Sequence, residues 1–218
     1  MPQISEIVPQ KKKENHFNIF IDNKFAFGID AENLIKFKLK VGREITPEEQ
    51  SKIAQSKELE FLMDRVLNFL SFRPRSVKEV YDYLAKKIAV KSDIKFNQAQ
   101  ESDLIPQVIK KLQKYKYLND MEFTKWWIES RTKSSPKGPA ALKFELMKKG
   151  IDKNLIEAQI VKNVNPRKLA KIAVEKKIKN WLRLEPLEFK KKFYQYLATR
   201  GFDYETISEL FAIYKKKR

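Results

Sequence analysis

Residues 103–152, DLIPQVIKKLQKYKYLNDMEFTKWWIESRTKSSPKGPAALKFELMKKGID, decide the fold, because three helical segments follow one another there with clear punctuation. From Asp103 to Tyr115, Ile105, Val108, Ile109 and Leu112 recur at helical spacings, and Tyr115-Lys116-Tyr117-Leu118 makes a turn. Asn119 stands where a side chain accepts from the free amides of the next turn. Glu122 is three residues on, a capping-box spacing in which its carboxylate reaches back, and the helix so opened runs through Phe123, Trp127 and Arg131. A basic loop, Thr132 to Gly138, follows. Pro139 then occupies a first helical turn, where a missing N–H costs nothing, and Leu142, Leu146 and Met147 form the apolar stripe of the next helix. Gly150 supplies the left-handed residue past its end, and Asp152 caps the helix after it.

Working outward, the first 30 residues have a different period. Phe17, Ile19 and Ile21 alternate with other residues, as do Phe25, Phe27 and Ile29, around Asp22-Asn23-Lys24, which is a hairpin signature. Ile4 to Val8 offers a third strand, which Pro9 and the Lys11-Lys12-Lys13 run either hold to an edge or break early. Asp30 caps a short helix carrying Leu34, Ile35 and Leu39, with Gly42 beyond it, and Thr46-Pro47-Glu48-Glu49 opens another helix. From Leu59 the pattern is helical, with Leu62, Val66, Phe69 and Leu70 on one face up to the interruption Ser71-Phe72-Arg73-Pro74-Arg75. Ser76 and Glu79 spell a second capping box. The helix behind it turns Val80, Tyr81 and Leu84 inward and Lys78, Lys86 and Lys87 outward, and residues 89–102 read as an exposed polar loop.

The same phrase recurs three times: Tyr83-Leu84-Ala85-Lys86-Lys87-Ile88, Glu145 to Asp152, and Tyr196-Leu197-Ala198-Thr199-Arg200-Gly201-Phe202-Asp203 each end the second helix of a trio. In the last copy Asn165-Pro166 opens the first helix, Leu187 to Arg200 is the second, and Asp203 caps a third carrying Ile207, Leu210 and Phe211. The expected fold is therefore mainly α: three tandem three-helix repeats over 58–118, 119–164 and 165–218, helix-turn-helix-like and stacked into an elongated, curved array, behind a β-hairpin and short-helix extension over 1–57.

Composition narrows the function. The chain has 46 basic and 28 acidic residues among 218, a net charge of +18 that points to a polyanionic partner. The excess is uneven, with 10 basic and 9 acidic groups in residues 1–58 against 15 and 6 in residues 165–218. Without cysteine there are no disulfides, thiolate metal sites or cysteine nucleophiles, and the single His16 cannot form a histidine cluster. Neither paired carboxylates, a nucleophile beside a base, nor a phosphate-cradling glycine loop stands out, so no enzyme and no cofactor is expected. The absence of a secretion signal or spanning run leads to the expectation of a cytoplasmic protein.

Three stretches resemble the RecX-type regulatory proteins that modulate the RecA recombinase. They are Arg73-Pro74-Arg75-Ser76 with Glu79-Val80 and Tyr83-Leu84; Leu112 through Tyr117-Leu118-Asn119-Asp120 to Phe123; and Lys137-Gly138 through Leu142 and Glu145-Leu146 to Lys149-Gly150-Ile151. Together they span the region from Leu59 to Tyr214, and the longer polar stretch 89–102 departs from the family's short turn. The resemblance implies a monomeric, non-enzymatic protein that lies in the groove of a RecA filament on DNA and alters ATP turnover, strand exchange or persistence. It would touch RecA, and single- or double-stranded DNA through phosphates, with Arg73, Arg75, Lys78, Lys86 and Lys87 in the first repeat, Arg131, Lys133, Lys137, Lys148 and Lys149 in the second, and Lys190, Lys191, Lys192 and Arg200 in the third. Trp126-Trp127 has the look of a base-stacking platform, but the two rings point about 100° apart on a helix. Burial of Trp127 in line with Phe123, with Trp126 toward a neighbouring repeat, is the expectation. The rival reading is a plain helix-turn-helix DNA binder; tandem repetition within one chain favours a periodic filament instead.

Overall fold

The structure is a computed structural model that describes residues 2–11 and 14–216. Most of the Lys11-Lys12-Lys13 run and the last two residues of the terminal Lys215-Lys216-Lys217-Arg218 run lie outside the described residues. The chain divides into two compact units, Met1–Asn68 with Ser102–Val108, and Phe69–Glu101 with Ile109–Arg218.

In the first unit β1 (Ile4–Pro9), β2 (His16–Ile21) and β3 (Lys24–Asp30) form an antiparallel sheet in that order, so the third strand is present and lies at an edge. Asp22 and Asn23 both have positive φ, 49° and 63°, as a tight hairpin turn whose twist matches its strands requires. Ile4, Ile19 and Ile29 are buried with Leu39, Ile45 and Ile53. Phe25, expected in the same stripe as Phe27 and Ile29, is instead 61% exposed. The register shifts between Ile19 and Phe20, which pairs Phe25 with Phe20 and carries it to the other face. Ile35 is also exposed, because the Asp30-capped α1 (Ala31–Lys36) stops before Leu39, which enters the core from the following turn.

Thr46 and Glu49 close a true capping box, with the Thr46 hydroxyl accepting from the Glu49 amide at 3.2 Å and the Glu49 carboxylate accepting from the Thr46 amide at 3.2 Å. The helix they open, α2 (Pro47–Ser71), has no Gly or Pro after its first residue. It is continuous for 25 residues, through Lys57 and Leu59.

In the second unit α3 runs from Val77 to Ser92, past the Ile88 at which the repeat phrase had ended it, and closes on Asp93 at φ 51°. The stretch 89–102 is thus no loop: it holds the end of α3 and a short α4 (Phe96–Gln100) with Ala99 buried. The Tyr81 hydroxyl fastens α4 by donating to the Gln100 carbonyl at 2.6 Å. After α5 (Leu104–Lys114) come two complete trios, α6 (Asp120–Ser134), α7 (Pro139–Lys148) and α8 (Lys153–Asn163), then α9 (Pro166–Trp181), α10 (Pro186–Thr199) and α11 (Tyr204–Lys215). Phe123, Ile128, Leu146, Ile151 and Ile156 form the core of the first of these. Phe189, Phe193, Leu197, Ile207 and Leu210 anchor that of the second. α6 extends to Ser134, shortening the basic loop, and Met147 is half exposed rather than part of the apolar stripe.

Candidate functional site

Three of the basic residues singled out in the sequence, Arg73, Lys149 and Arg200, lie where successive trios meet. At the N-terminus of α3, the Ser76 hydroxyl accepts from the Glu79 amide at 3.1 Å, as its capping position requires, and donates to the Lys149 carbonyl at 2.7 Å. Asp120, the first residue of α6, accepts from the free Val77 amide at 2.8 Å. The carboxylate of Glu79 does not reach back to its cap. It is gripped by both terminal nitrogens of Arg73 at 2.9 Å and by Lys149 Nζ at 2.6 Å, 70 residues away. Burial opposes its ionisation, but the bonds from Arg73 and Lys149 prevail and hold the Glu79 carboxyl at about 2, below its ordinary 4.5. Burial pushes the Asp120 carboxyl the other way, upward, despite the Val77 bond.

Within the second trio, Glu145 on α7 collects donors in a similar way. Its carboxylate accepts from Trp127 Nε1 at 2.9 Å, from Arg131 Nε at 2.8 Å and from Lys137, and these cations lower its pKa against the desolvation that would raise it. Trp127 is therefore half-buried rather than buried, with the Arg131 guanidinium 4.6 Å and Lys149 Nζ 5.2 Å from its ring, and Trp126 faces Arg73 of the preceding repeat at 5.6 Å. Glu122, at the expected reach-back position behind Asn119, bonds Lys125 instead at 2.8 Å, while Asn119 itself caps Met121 and Glu122.

The next joint repeats the first in backbone atoms. Gly138 N–H donates to the Arg200 carbonyl at 2.8 Å and Ala140 N–H to the Gly201 carbonyl at 3.2 Å, so the last turn of α10 sits on the first turn of α7 as Lys149 sits on Ser76. Arg200 stacks over Tyr196 at 4.4 Å and its Nη1 lies 3.4 Å from the Ser135 hydroxyl.

Of the remaining candidates, Lys78 pairs with Asp82 and Lys192 with Glu188, each one helical turn away. Lys87, Lys148 and Lys190 lie over Tyr83, Phe144 and Tyr194. Lys86, Lys133 and Lys191 are exposed, with no acidic partner among the described residues. Arg75 stacks on Phe69 at 3.8 Å and its Nε donates to the Phe69 carbonyl at 3.4 Å; Phe69 in turn stacks flat on Tyr83 at 4.1 Å. Lys116, which the sequence reading passed over, stands at the same end of the repeat in a turn at φ 61°. Its flanking tyrosines were the available signal. Among the described residues no group of three or more His, Asp or Glu could hold a metal ion, and no helix is long and apolar enough to cross a membrane.

The Glu79 clasp makes a testable claim about acid stability. Because the folded pKa lies below the unfolded one, the clasp contributes fully above pH 4.5 and its contribution is lost as pH falls from 4.5 toward 2. Glu79→Gln is expected to cost about 2 kcal/mol at pH 7, since it leaves two half-buried cations short of their anion. In urea titrations the gap between variant and wild type should close as pH falls through that window. A pH-independent gap would mean that Glu79 acts through packing alone.

Comparison with known proteins finds matches to the sheet and to each of the three helical domains. Family models match as the regulatory protein RecX N-terminal domain over residues 2–46 and as the RecX first, second and third three-helix domains over 63–89, 119–158 and 167–211. Regulatory protein RecX of Bacillus subtilis strain 168 is 37% identical over 211 residues, covering 95% of this chain and 75% of that one, and the Bacillus licheniformis protein of the same name is 35% identical over a similar span. A crystal structure of a regulatory protein RecX superposes with a TM-score of 0.76 over 97% of this chain and 100% of that one, at 23% identity. RecX from Lactobacillus salivarius gives 0.60 over 73% of this chain and 98% of that one, at 25% identity. With the three-helix domains, the small sheet before them and this identity over nearly its whole length, the chain belongs to the RecX family of regulatory proteins.

Proposed function

We propose that this protein binds RecA and RecA–DNA filaments and modulates recombinase and ATPase activity, as a monomer in the cytoplasm and without catalysing a reaction itself. The observation that carries this reading is the repeated joint. In both, the N-cap residue of one domain's helix donates to the C-cap carbonyl of a helix in the next domain, Ser76 through its hydroxyl to Lys149 and Gly138 through its N–H to Arg200, so successive domains, each carrying its own cations, are joined in an equivalent way. A ladder of that kind suits a polymer whose subunits and phosphates also repeat. Membership of a family of regulatory proteins supports it, as does the charge of +18.

The cations held by Glu79 and Glu145 serve the fold first, so the contacts proposed for partners rest on exposed cations that bond no carboxylate among the described residues: Lys86 in the first repeat, Lys133 in the second, Lys190 and Lys191 in the third. The test is RecA's DNA-dependent ATP turnover, titrated with wild type, single-cluster and double-cluster charge reversals at these positions, beside co-sedimentation with RecA on single-stranded DNA, bare DNA and free RecA. One reversed cluster should weaken the effect partly and two far more, because contacts on one array raise each other's effective concentration. If the wild type at saturation leaves turnover and filament lifetime unchanged, the RecA reading fails. Co-sedimentation with DNA alone, indifferent to RecA, would favour a basic helical DNA-binding protein acting by itself.

A further inference from the structure

A cleft in the second unit, with a volume of about 840 Å³, opens between the α2–α3 turn and the α5–α6 turn, and Phe123 is among its lining residues. Its walls carry two rings that the fold does not bury: Phe72 is 76% exposed on one side and Tyr117 60% exposed on the other. Three cations border it, and two of them, Arg75 and Lys116, are bonded to no carboxylate among the described residues. Arg75 is held rigid by its stack on Phe69 and its single bond to the Phe69 carbonyl, which leaves both terminal nitrogens without a partner among the described residues. Lys116 is exposed and has no acidic partner among the described residues. The acid on this rim, Glu122, is bonded to Lys125, and Arg73 is spent on Glu79.

A ligand for this cleft needs anionic groups for Arg75 and Lys116 and flat apolar faces for Phe72 and Tyr117. We propose that the cleft takes a short unpaired stretch of a nucleic-acid strand, its phosphates on Arg75 and Lys116 and its bases against Phe72 and Tyr117. No strand edge borders the cleft, so an extended acidic peptide would find no backbone to pair with. A single strand needs only cations and ring faces, and ring stacking accepts any base. In a duplex the bases are already stacked on one another, so Phe72 and Tyr117 have nothing to receive. The proposal rests on the DNA-binding part of the reading above and narrows it to the unpaired strand at the junction of the first and second repeats.

The experiment measures anisotropy of a fluorescein-labelled oligothymidylate and of a labelled duplex with the full-length protein. Phe72→Ala with Tyr117→Ala removes only exposed side chains, and circular dichroism checks that helix content is kept. The double variant should bind the oligothymidylate roughly 10- to 100-fold more weakly while duplex affinity stays within about twofold. Arg75→Ala with Lys116→Ala should lower the salt slope of oligothymidylate binding by about two. If the wild type binds the oligothymidylate and the aromatic variant matches it, the cleft assignment is wrong and phosphate-led DNA binding stands. Equal losses on both DNA forms would also overturn it, by making the cleft a general basic patch. Unchanged oligothymidylate affinity with a lost effect on RecA's ATP turnover would give the cleft to a protein partner. A wild type that binds neither DNA form would end the DNA reading and the cleft proposal together.

Discussion

Gly201→Ala is expected to lower the stability of the helical unit by roughly 3–5 kcal/mol, combining left-handed strain, overpacking and weakened joint hydrogen bonds. Gly201 has φ +80°, and a Cβ there would lie 2.3 Å from the Ala141 amide nitrogen and 2.6 Å from the Ala141 Cβ. Those atoms belong to the first turn of α7. They cannot retreat without breaking the 2.8 Å Gly138–Arg200 and 3.2 Å Ala140–Gly201 bonds that join the second and third trios. Gly42→Ala is the control: φ is similar at +85°, but the nearest atom, Gln3 Nε2, is 3.9 Å away. It should cost only the backbone strain, about 1–2 kcal/mol. Urea unfolding followed by circular dichroism measures both, and tryptophan fluorescence follows the helical unit separately because Trp126, Trp127 and Trp181 all lie in it. Equal losses in the two variants would mean that the joint is looser than its geometry implies.

DNA affinity should fall by roughly 10³- to 10⁵-fold between 50 and 200 mM salt if 6 to 10 phosphates are contacted. The largest contribution should come from exposed lysines without acidic partners among the described residues, such as Lys86, Lys133 and Lys191, since a cation already neutralised by a carboxylate displaces few counterions when phosphate arrives. Arg73, Arg131, Lys137 and Lys149 should therefore contribute little to the slope although they are as basic as the rest. Base sequence should have a small effect, because phosphate contacts position a protein without reading base edges. Filter binding or anisotropy across a salt series, on two duplexes of unrelated sequence, measures both claims. A flat dependence would reduce the charge of +18 to a solvated surface.

Local chemistry was legible in the residues because it acts within one turn of chain. Asp30, Ser76, Asn119, Asp152, Asn165 and Asp203 each accept a backbone amide two or three residues on, as their positions at helix starts led one to expect. Gly150 and Gly201 take positive φ just past helix ends, and the hairpin turns at Asp22-Asn23. Three-helix repetition followed from those signals, since the same punctuation returned at equivalent places. Where neighbours beyond one turn compete, the sequence alone misled: Phe25 yields to a bulge, and α4 forms because Tyr81 and buried Ala99 hold it. The basic residues show the divide most clearly. Nothing within a few residues of Lys149 distinguishes it from Lys148, yet one is bonded to Glu79 across 70 residues and the other lies exposed over Phe144. The sequence determined that this protein would be a basic row of capped helices. Which of its charges close the fold and which remain uncommitted was decided only by tertiary packing, because a carboxylate's choice among several cations depends on distances that no spacing along the chain encodes.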